Sequence, residues 1–292
     1  MSTARRTRRE SRLAPLDGGP EPEPVFTLHE GTAPLLLSLP HVGTEIPPEL
    51  RAVMLPRALL LEDTDWNLAE VYGFARELGA SILMPRCSRY VIDLNRPPAT
   101  NAVMYAGANN TELVPTHFFS GDPLYRDGRE PDAHEIESRR DTYWRPYHAA
   151  MTSELARLRS EHGHAILWDG HSIQPVLPWL FDGRLPDLNL GTAGGASCAT
   201  SLRDALMQVL ASQTTFSHVT DGRFKGGYIT RHRGRPQEGV HAIQLEMGLH
   251  VYMDEKRASV PAAPPDPDKL ARLQPLLRAL LQTTLEWQPD GF

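Results

Sequence analysis

A three-layer α/β/α fold on a mostly parallel, mixed sheet is what this sequence predicts, and three observations predict it. From about Val25 onward, short apolar runs alternate with longer stretches of helical period. The runs end at Pro or Gly, or in small clusters of polar residues. The 292 residues, 40% of them hydrophobic, are enough for one large α/β core. Strands alternating with helices give a parallel sheet covered on both faces, and functional groups then gather at the carboxyl ends of the strands.

Residues 34–39 (PLLLSL) read as a buried strand that stops at Pro40, which places His41 just past a strand end. Residues 59–78 carry apolar side chains at helical spacing, Leu68, Val71, Tyr72 and Ala75 among them, and stop at Gly79. A second strand is expected over residues 80–84, and a third over residues 90–94, leading into Asn95-Arg96-Pro97. Residues 133–162 form a long amphipathic helix with a kink expected at Pro146. That helix ends at Gly163 and gives way to a fourth strand, residues 165–168, which delivers Asp169-Gly170-His171-Ser172. A helix over about 201–211, a Gly-rich stretch from Asp221 to Gly234, and a fifth strand over 240–245 ending in Glu246 follow. The Pro-rich tract 258–267 is short enough to be a surface loop before a last helix over 267–286.

The expected organisation is a disordered leader over residues 1–24, basic and then rich in Pro, Gly and Glu, followed by a single domain over 25–292. The net charge of −6 and pI near 6.1 argue against a nucleic-acid partner. Cys87 and Cys198 cannot make a disulfide framework and suit a reducing compartment. No run approaches the roughly 18 apolar residues of a membrane span, and no apolar core marks a secretory signal. The expectation is a cytoplasmic protein without a membrane or nucleic-acid partner.

Two histidines at strand ends, His41 and His171, lie far apart in sequence, yet a parallel sheet brings such loops into one crevice. Imidazole suits zinc, and a catalytic zinc takes three protein ligands and leaves one position open, so a carboxylate is the natural third. Asp63, Asp65, Glu45 and Asp169 are candidates. Either histidine alone could equally be a satisfied core residue, so the metal reading rests on the pair. Glu246 closes an apolar strand, where partial burial would raise its pKa and suit it to accept a proton from water. The alternative is a charge reaching solvent. Asn95-Arg96 offers a planar bidentate cation beside an amide, a geometry for a carboxylate. Arg89, Arg231 and Arg233 lie in other candidate loops, and several arginines near a metal imply an anionic substrate.

At these residues the chain resembles the N-formylglutamate amidohydrolase family of histidine degradation. The resemblance runs from about Pro34 to Met253 through PHVG (40–43), DTDW (63–66), SRYVIDLNRP (88–97), LYRDG (124–128), WRPYH (144–148), DGHS (169–172), FDGRLPDLNLGT (181–192), GRFKGGYITRH (222–232) and GVHAIQLEM (239–247). That family is similar to the zinc carboxypeptidase and aspartoacylase group. The resemblance implies a zinc-exopeptidase-like (phosphorylase/hydrolase-like) fold and hydrolysis of N-formyl-L-glutamate to formate and glutamate. It makes His41 and His171 ligands of a divalent metal, Zn2+ by expectation. It also makes Asn95 and Arg96 a substrate pair and Glu246 the base. The broader group carries His-x-x-Glu as its first two ligands, whereas Thr44 stands three residues after His41. The third ligand expected is Asp65, which begins a helical segment beside Trp66 inside one of the matching blocks, ahead of Asp63 and Glu45. The two carboxylates of the substrate are assigned to Arg96 and Arg231, with Arg89 in reserve. A hydrolase of another N-acyl amino acid or short peptide, or a metal- or anion-binding protein without turnover, are the competing readings.

Overall fold

Leu35, Leu36 and Leu37 are all fully buried, and they divide between two cores, which is the signature of a strand covered on both faces. Described here, from a computed structural model, are residues 9–10, 24–99 and 111–289. The leader expected over residues 1–24 lies outside the described residues except at 9–10 and 24.

The sheet comprises β1 (Arg9–Glu10), β2 (Phe26–His29), β3 (Leu35–Ser38), β4 (Ser81–Pro85), β5 (Ala165–Ile173), β6 (Leu188–Gly191), β7 (His218–Thr220) and β8 (Val240–Gly248). Its spatial order is β1-β2-β4-β3-β5-β8-β6-β7. The centre, β4-β3-β5-β8, is parallel, while β2 and β6 run antiparallel to their inner neighbours. Helices cover both faces: α5 (Thr200–Ala211) and α7 (Pro267–Glu286) pack Leu202, Leu206, Leu273 and Leu277 onto one core with Leu37, Trp168 and Ile243. On the other face, α4 (Arg145–His162) packs Met151, Leu155 and Leu158 with Leu36, Leu167 and Ala242. The expected α/β class and three-layer arrangement are present. From β3 the chain crosses to β4 on one side, and β5 lies on the other, so the crevice between the ends of β3 and β5 is a topological switch point.

Three expectations are corrected. Residues 90–94 form no strand but a turn held by Val91 N–H to Ser88 O (2.9 Å) and Arg96 N–H to Asp93 O (3.2 Å). Tyr90 and Ile92 are buried there as a strand's side chains would be, and a short apolar run does not separate the two cases. Residues 59–78 are not one helix. They hold a 3-10 turn (Pro56–Leu60), left-handed residues Leu61 and Asn67, the short α2 (Leu68–Val71) and a second 3-10 turn (Gly73–Arg76). The break lets Asp65 N–H bond His41 O (3.1 Å), which the continuous helix would have forbidden. The long helix over 133–162 divides into α3 (Ala133–Arg139), a π turn (Arg140–Trp144) and α4, because Pro146 has no N–H to give the preceding turn. Short β2, β6 and β7 carry no run long enough to be read from sequence, and the Gly-rich stretch contains α6 (Tyr228–Arg233).

One buried group ties helix α4 to the turn that follows β4. His148 donates Nε2–H to Leu94 O (2.9 Å) and accepts from Arg233 Nη2 at Nδ1 (3.0 Å), so both nitrogens are used by the neutral ring. Burial, then the nearby Arg233, lowers its pKa to about 3. The unfolded chain takes up this proton near pH 6.5, the folded chain only near pH 3, so the native state is penalised as pH falls between them. We expect the urea midpoint to drop across that window. His148→Gln keeps an Nε2 donor and should flatten the slope of stability against pH by about 1.4 kcal/mol per unit. Equal slopes in the two proteins would show that His148 is not held neutral.

Candidate active site

The site is assembled where β3, β5 and β8 end. His41 stands three residues past β3, in the turn after Pro40. His171 lies on β5 and Glu246 on β8, and the register of this parallel pair sets them side by side. Asp65 reaches the same point from the broken segment before α2, tethered through its N–H to His41 O. All four side chains are buried and line one cleft.

His171 Nδ1 lies 3.2 Å from His41 Nδ1 and 3.2 Å from Asp65 Oδ2, and His41 Nδ1 lies 3.6 Å from Asp65 Oδ2. Tetrahedral coordination with bonds of about 2.0–2.1 Å separates neighbouring donors by about 3.3–3.4 Å. The triangle therefore has the size of one face of such a site, and His41, Asp65 and His171 form a group that could hold a metal ion. Their chemistry agrees: two imidazole nitrogens and one carboxylate suit zinc and its neighbours.

Each imidazole is fixed from behind. His41 Nε2 bonds Asp93 Oδ1 at 2.8 Å, which leaves Nδ1 to face the triangle. His171 Nε2 lies 3.2 Å from Asp169 Oδ1 and 3.0 Å from Asn95 Nδ2. Asn95 Oδ1 in turn accepts from Ile229 N–H (2.8 Å), so the amide is oriented from the far side. Asp93 also accepts from Arg89 Nη2 (2.7 Å) and from Asn95 N–H (2.8 Å).

The electrostatics favour a cation at the triangle. Burial alone would raise the Asp65 carboxyl, but hydrogen bonds from His171 and His41 hold it well below the usual carboxylate range. Burial alone would lower His171, but Asp169, Asp65 and Glu246 outweigh it and raise the ring well above its ordinary value. Glu246 is pushed up to about 8, first by burial and then, against the pull of His171, by Asp65. Its Oε2 accepts from Gln244 Nε2 (3.1 Å).

The cleft includes Asn95, Arg96 and Arg89 from the turn after β4. Arg96 donates to Thr111 O (3.0 Å), to Asn95 O (2.9 Å) and to Thr111 Oγ1. Arg89 stacks over Phe119 at 4.4 Å, with Nη1 3.3 Å from His41 Nδ1. Other candidates fall elsewhere. Asp63 accepts from Tyr90 OH (2.9 Å) and Phe119 N–H (3.0 Å), outside the triangle. Glu45 pairs with Arg86 at the surface (2.8 Å). Asp169 supports His171 rather than joining the three donors. Arg231 is exposed, bonds Gly226 O (2.8 Å) and does not line the cleft, and Arg233 binds His148. α6 turns these two away from the cleft.

Sequence reasoning missed Asp93, Gln244, Arg223, Phe119 and Phe224, all at the cleft or directly behind it. Asp93 and Gln244 carried a signal: a polar side chain inside an apolar run next to a residue already singled out.

The constellation, with three metal-type donors, a raised carboxyl and cationic walls at a switch point, is that of a hydrolytic centre for an anionic substrate. Residues 33–253 match the N-formylglutamate amidohydrolase family. The chain is 44% identical to the N-formylglutamate deformylase of Pseudomonas putida over 268 residues, covering 92% of this chain and 98% of that one. It is 46% identical, at the same coverage, to the N-formylglutamate deformylase of Pseudomonas aeruginosa PAO1. Among solved structures, an N-formylglutamate amidohydrolase from Ralstonia eutropha JMP134 superposes with a TM-score of 0.71 at 25% identity, covering 89% of this chain and 95% of that one. A gene product of Agrobacterium tumefaciens shares the fold at a TM-score of 0.66 and 17% identity, covering 89% and 93%. The chain belongs to the N-formylglutamate amidohydrolase family.

Asp65 brings the negative charge among the three donors. We expect Asp65→Asn to weaken zinc binding by at least about tenfold, since losing even an outer carboxylate costs 10–100-fold. Glu45→Gln should leave zinc binding unchanged. Titration against a chromophoric chelator measures both, and the reverse ranking would move the third ligand to Glu45.

Proposed function

We propose that this chain hydrolyses N-formyl-L-glutamate to formate and L-glutamate, with a divalent metal, zinc in our reading, at His41, Asp65 and His171. The observation that carries the reading is that a three-donor triangle and a buried Glu246, its pKa raised by burial, share one cleft with arginines. The names of the relatives supply the substrate. We also place the protein in the cytoplasm, which accords with the free thiols of Cys87 and Cys198 and with the lack, among described residues, of any helix long and apolar enough to cross a membrane.

His41, Asp65 and His171 would hold the divalent ion, which would supply Lewis acidity at the cleft. The chain's own residues do the rest. Glu246 takes the proton from the attacking water and returns it to the departing glutamate nitrogen. An ordinary glutamate, with a pKa of about 4.3, is a weak base, and burial corrects this. Gln244 holds one oxygen of Glu246 and leaves the other for the proton. Arg96, fixed by Thr111 and by Trp144 Nε1 donating to its carbonyl (2.9 Å), presents its guanidinium to the α-carboxylate. Arg89, close to His41 and Asp65, offsets the negative charge that develops on the formyl oxygen.

Formate release from N-formylglutamate should stop when a chelator removes the metal and return on adding zinc; activity that survives complete removal would sink the metal mechanism. Glu246→Gln should keep the metal and lose about 10²–10⁴ in kcat. Arg96→Lys, which keeps the charge but loses the fork, should raise KM more than it lowers kcat, and unchanged constants would reject the bidentate role.

A further inference from the structure

We propose that the groove between α4 and α6 is a second anion site, separate from the catalytic cleft, that takes a phosphate-type oxyanion. Its lining includes Arg159 of α4, His232 and Arg233 of α6, Arg235 just beyond that helix, and Glu238 as the one acid. Three guanidinium groups against one carboxylate make a local positive excess in a chain whose net charge is −6. The proposal goes beyond the hydrolase reading and does not rest on it.

Among the described residues, these arginines meet neutral acceptors and no carboxylate. Arg159 donates Nη1 to Glu238 O (3.1 Å), and Arg235 donates Nη1 to Gly234 O (3.0 Å) and Arg231 O (3.3 Å). Arg233 is half-buried, with Nη1 on Thr152 Oγ1 (2.7 Å) and Nη2 on His148 Nδ1 (3.0 Å). Its Nε is buried and has no acceptor among the described residues. Burial and then Arg235 outweigh the pull of Tyr228 and lower the pKa of this guanidinium. Burial, followed by Arg233 and Arg235, also holds the His232 ring below its ordinary pKa. Burying an arginine is ordinarily offset by pairing its charge, and here that partner is left for a ligand to supply.

The donors set the class of ligand. Planar guanidinium forks match the oxygens of a phosphate group two at a time, and a dianion gains more than a monocarboxylate from three cations held around one groove. The place of the groove gives such binding a consequence. Arg233 bonds His148, which donates to Leu94 O (2.9 Å) in the turn that carries Asn95 and Arg96. On the inner side of α6, Ile229 N–H donates to Asn95 Oδ1 (2.8 Å) and Thr230 Oγ1 to Asp169 Oδ2 (3.1 Å). An anion joining Arg159 to Arg233 and Arg235 braces α6 against α4 from the outer side, and a ligand held only by the folded chain raises its stability.

The test titrates inorganic phosphate, and in a second arm glycerol 3-phosphate, into the full-length protein at constant ionic strength, with chloride as the matched control. Calorimetry reads the affinity and thermal unfolding reads Tm. Phosphate or its ester should bind saturably and raise Tm where chloride does not, and the stronger of the two arms tells a free ion from a phosphate ester as the ligand. The double substitution Arg159→Gln, Arg235→Gln removes two exposed side chains and should weaken binding by at least about tenfold, as expected for lost charge-assisted hydrogen bonds. Arg233→Gln should abolish binding, and if that variant does not fold, the exposed pair still decides. Phosphate binding that survives the double substitution would belong to the arginines of the catalytic cleft and would overturn the proposal. So would the lack of saturable binding, or equal binding of chloride, which marks an adventitious ion only.

Discussion

Asp93 is fully buried, and the position of nearly everything in the cleft follows from how its charge is met. Burial alone would raise its carboxyl, but Arg96, His41 and Arg89 together hold it well below the usual range. One oxygen takes His41 Nε2 and the N–H of Asn95, both at 2.8 Å, and the other takes Arg89 Nη2 at 2.7 Å. A single anion thus fixes the face that His41 presents, the start of the Asn95-Arg96 turn and the direction of Arg89. A buried carboxylate with fewer partners would cost several kcal/mol, so the arrangement holds as a unit or not at all.

The turn that carries Asp93 is itself buttressed by α4 and the π turn before it. Trp144 bonds Arg96 O, His148 bonds Leu94 O, and the two rings stack at 3.8 Å. The π turn re-aims Trp144, and its extra residue falls just ahead of Pro146. Irregular backbone at this helix therefore serves the geometry of a turn distant in sequence. The same holds for the left-handed Asn67, whose side chain bonds Ala263 O (3.0 Å) and closes the break that frees Asp65.

Much of this was legible because strands announce themselves by apolar runs and breakers. His41, His171 and Glu246 could be placed at strand ends from Pro40, Gly170 and the run before Glu246. The final helix was read to its bounds, since Asp266 and Pro267 cap it and its apolar spacing is unbroken apart from Pro275. The segments around Asp65 and Asp93 were misread for one reason: both look regular by period, and both are bent by tertiary demands that period does not record. Asp65 was preferred to Asp63 and Glu45 from its place beside Trp66, and once the helix is broken these residues do face different neighbours: Asp65 the two histidines, Asp63 Tyr90 and Glu45 Arg86. Arg231 and Arg223 stand in the same block, and α6, invisible in a Gly-rich stretch, decides which of them meets the cleft.

The cleft also divides its labour between kinds of backbone. His171, Gln244 and Glu246 lie on β5 and β8, central strands whose side chains are locked by packing on both faces. Arg89, Arg96 and Arg223 lie on connecting segments. His41 and Asp65 also come from connecting segments, so the triangle joins one donor on a central strand to two that turns must hold in place. Gln244 joins the two, with its Nε2 on Glu246 and its Oε1 on Gly227. Because that one amide is spent in both directions, the loop at Gly227 cannot shift without disturbing the Glu246 carboxyl.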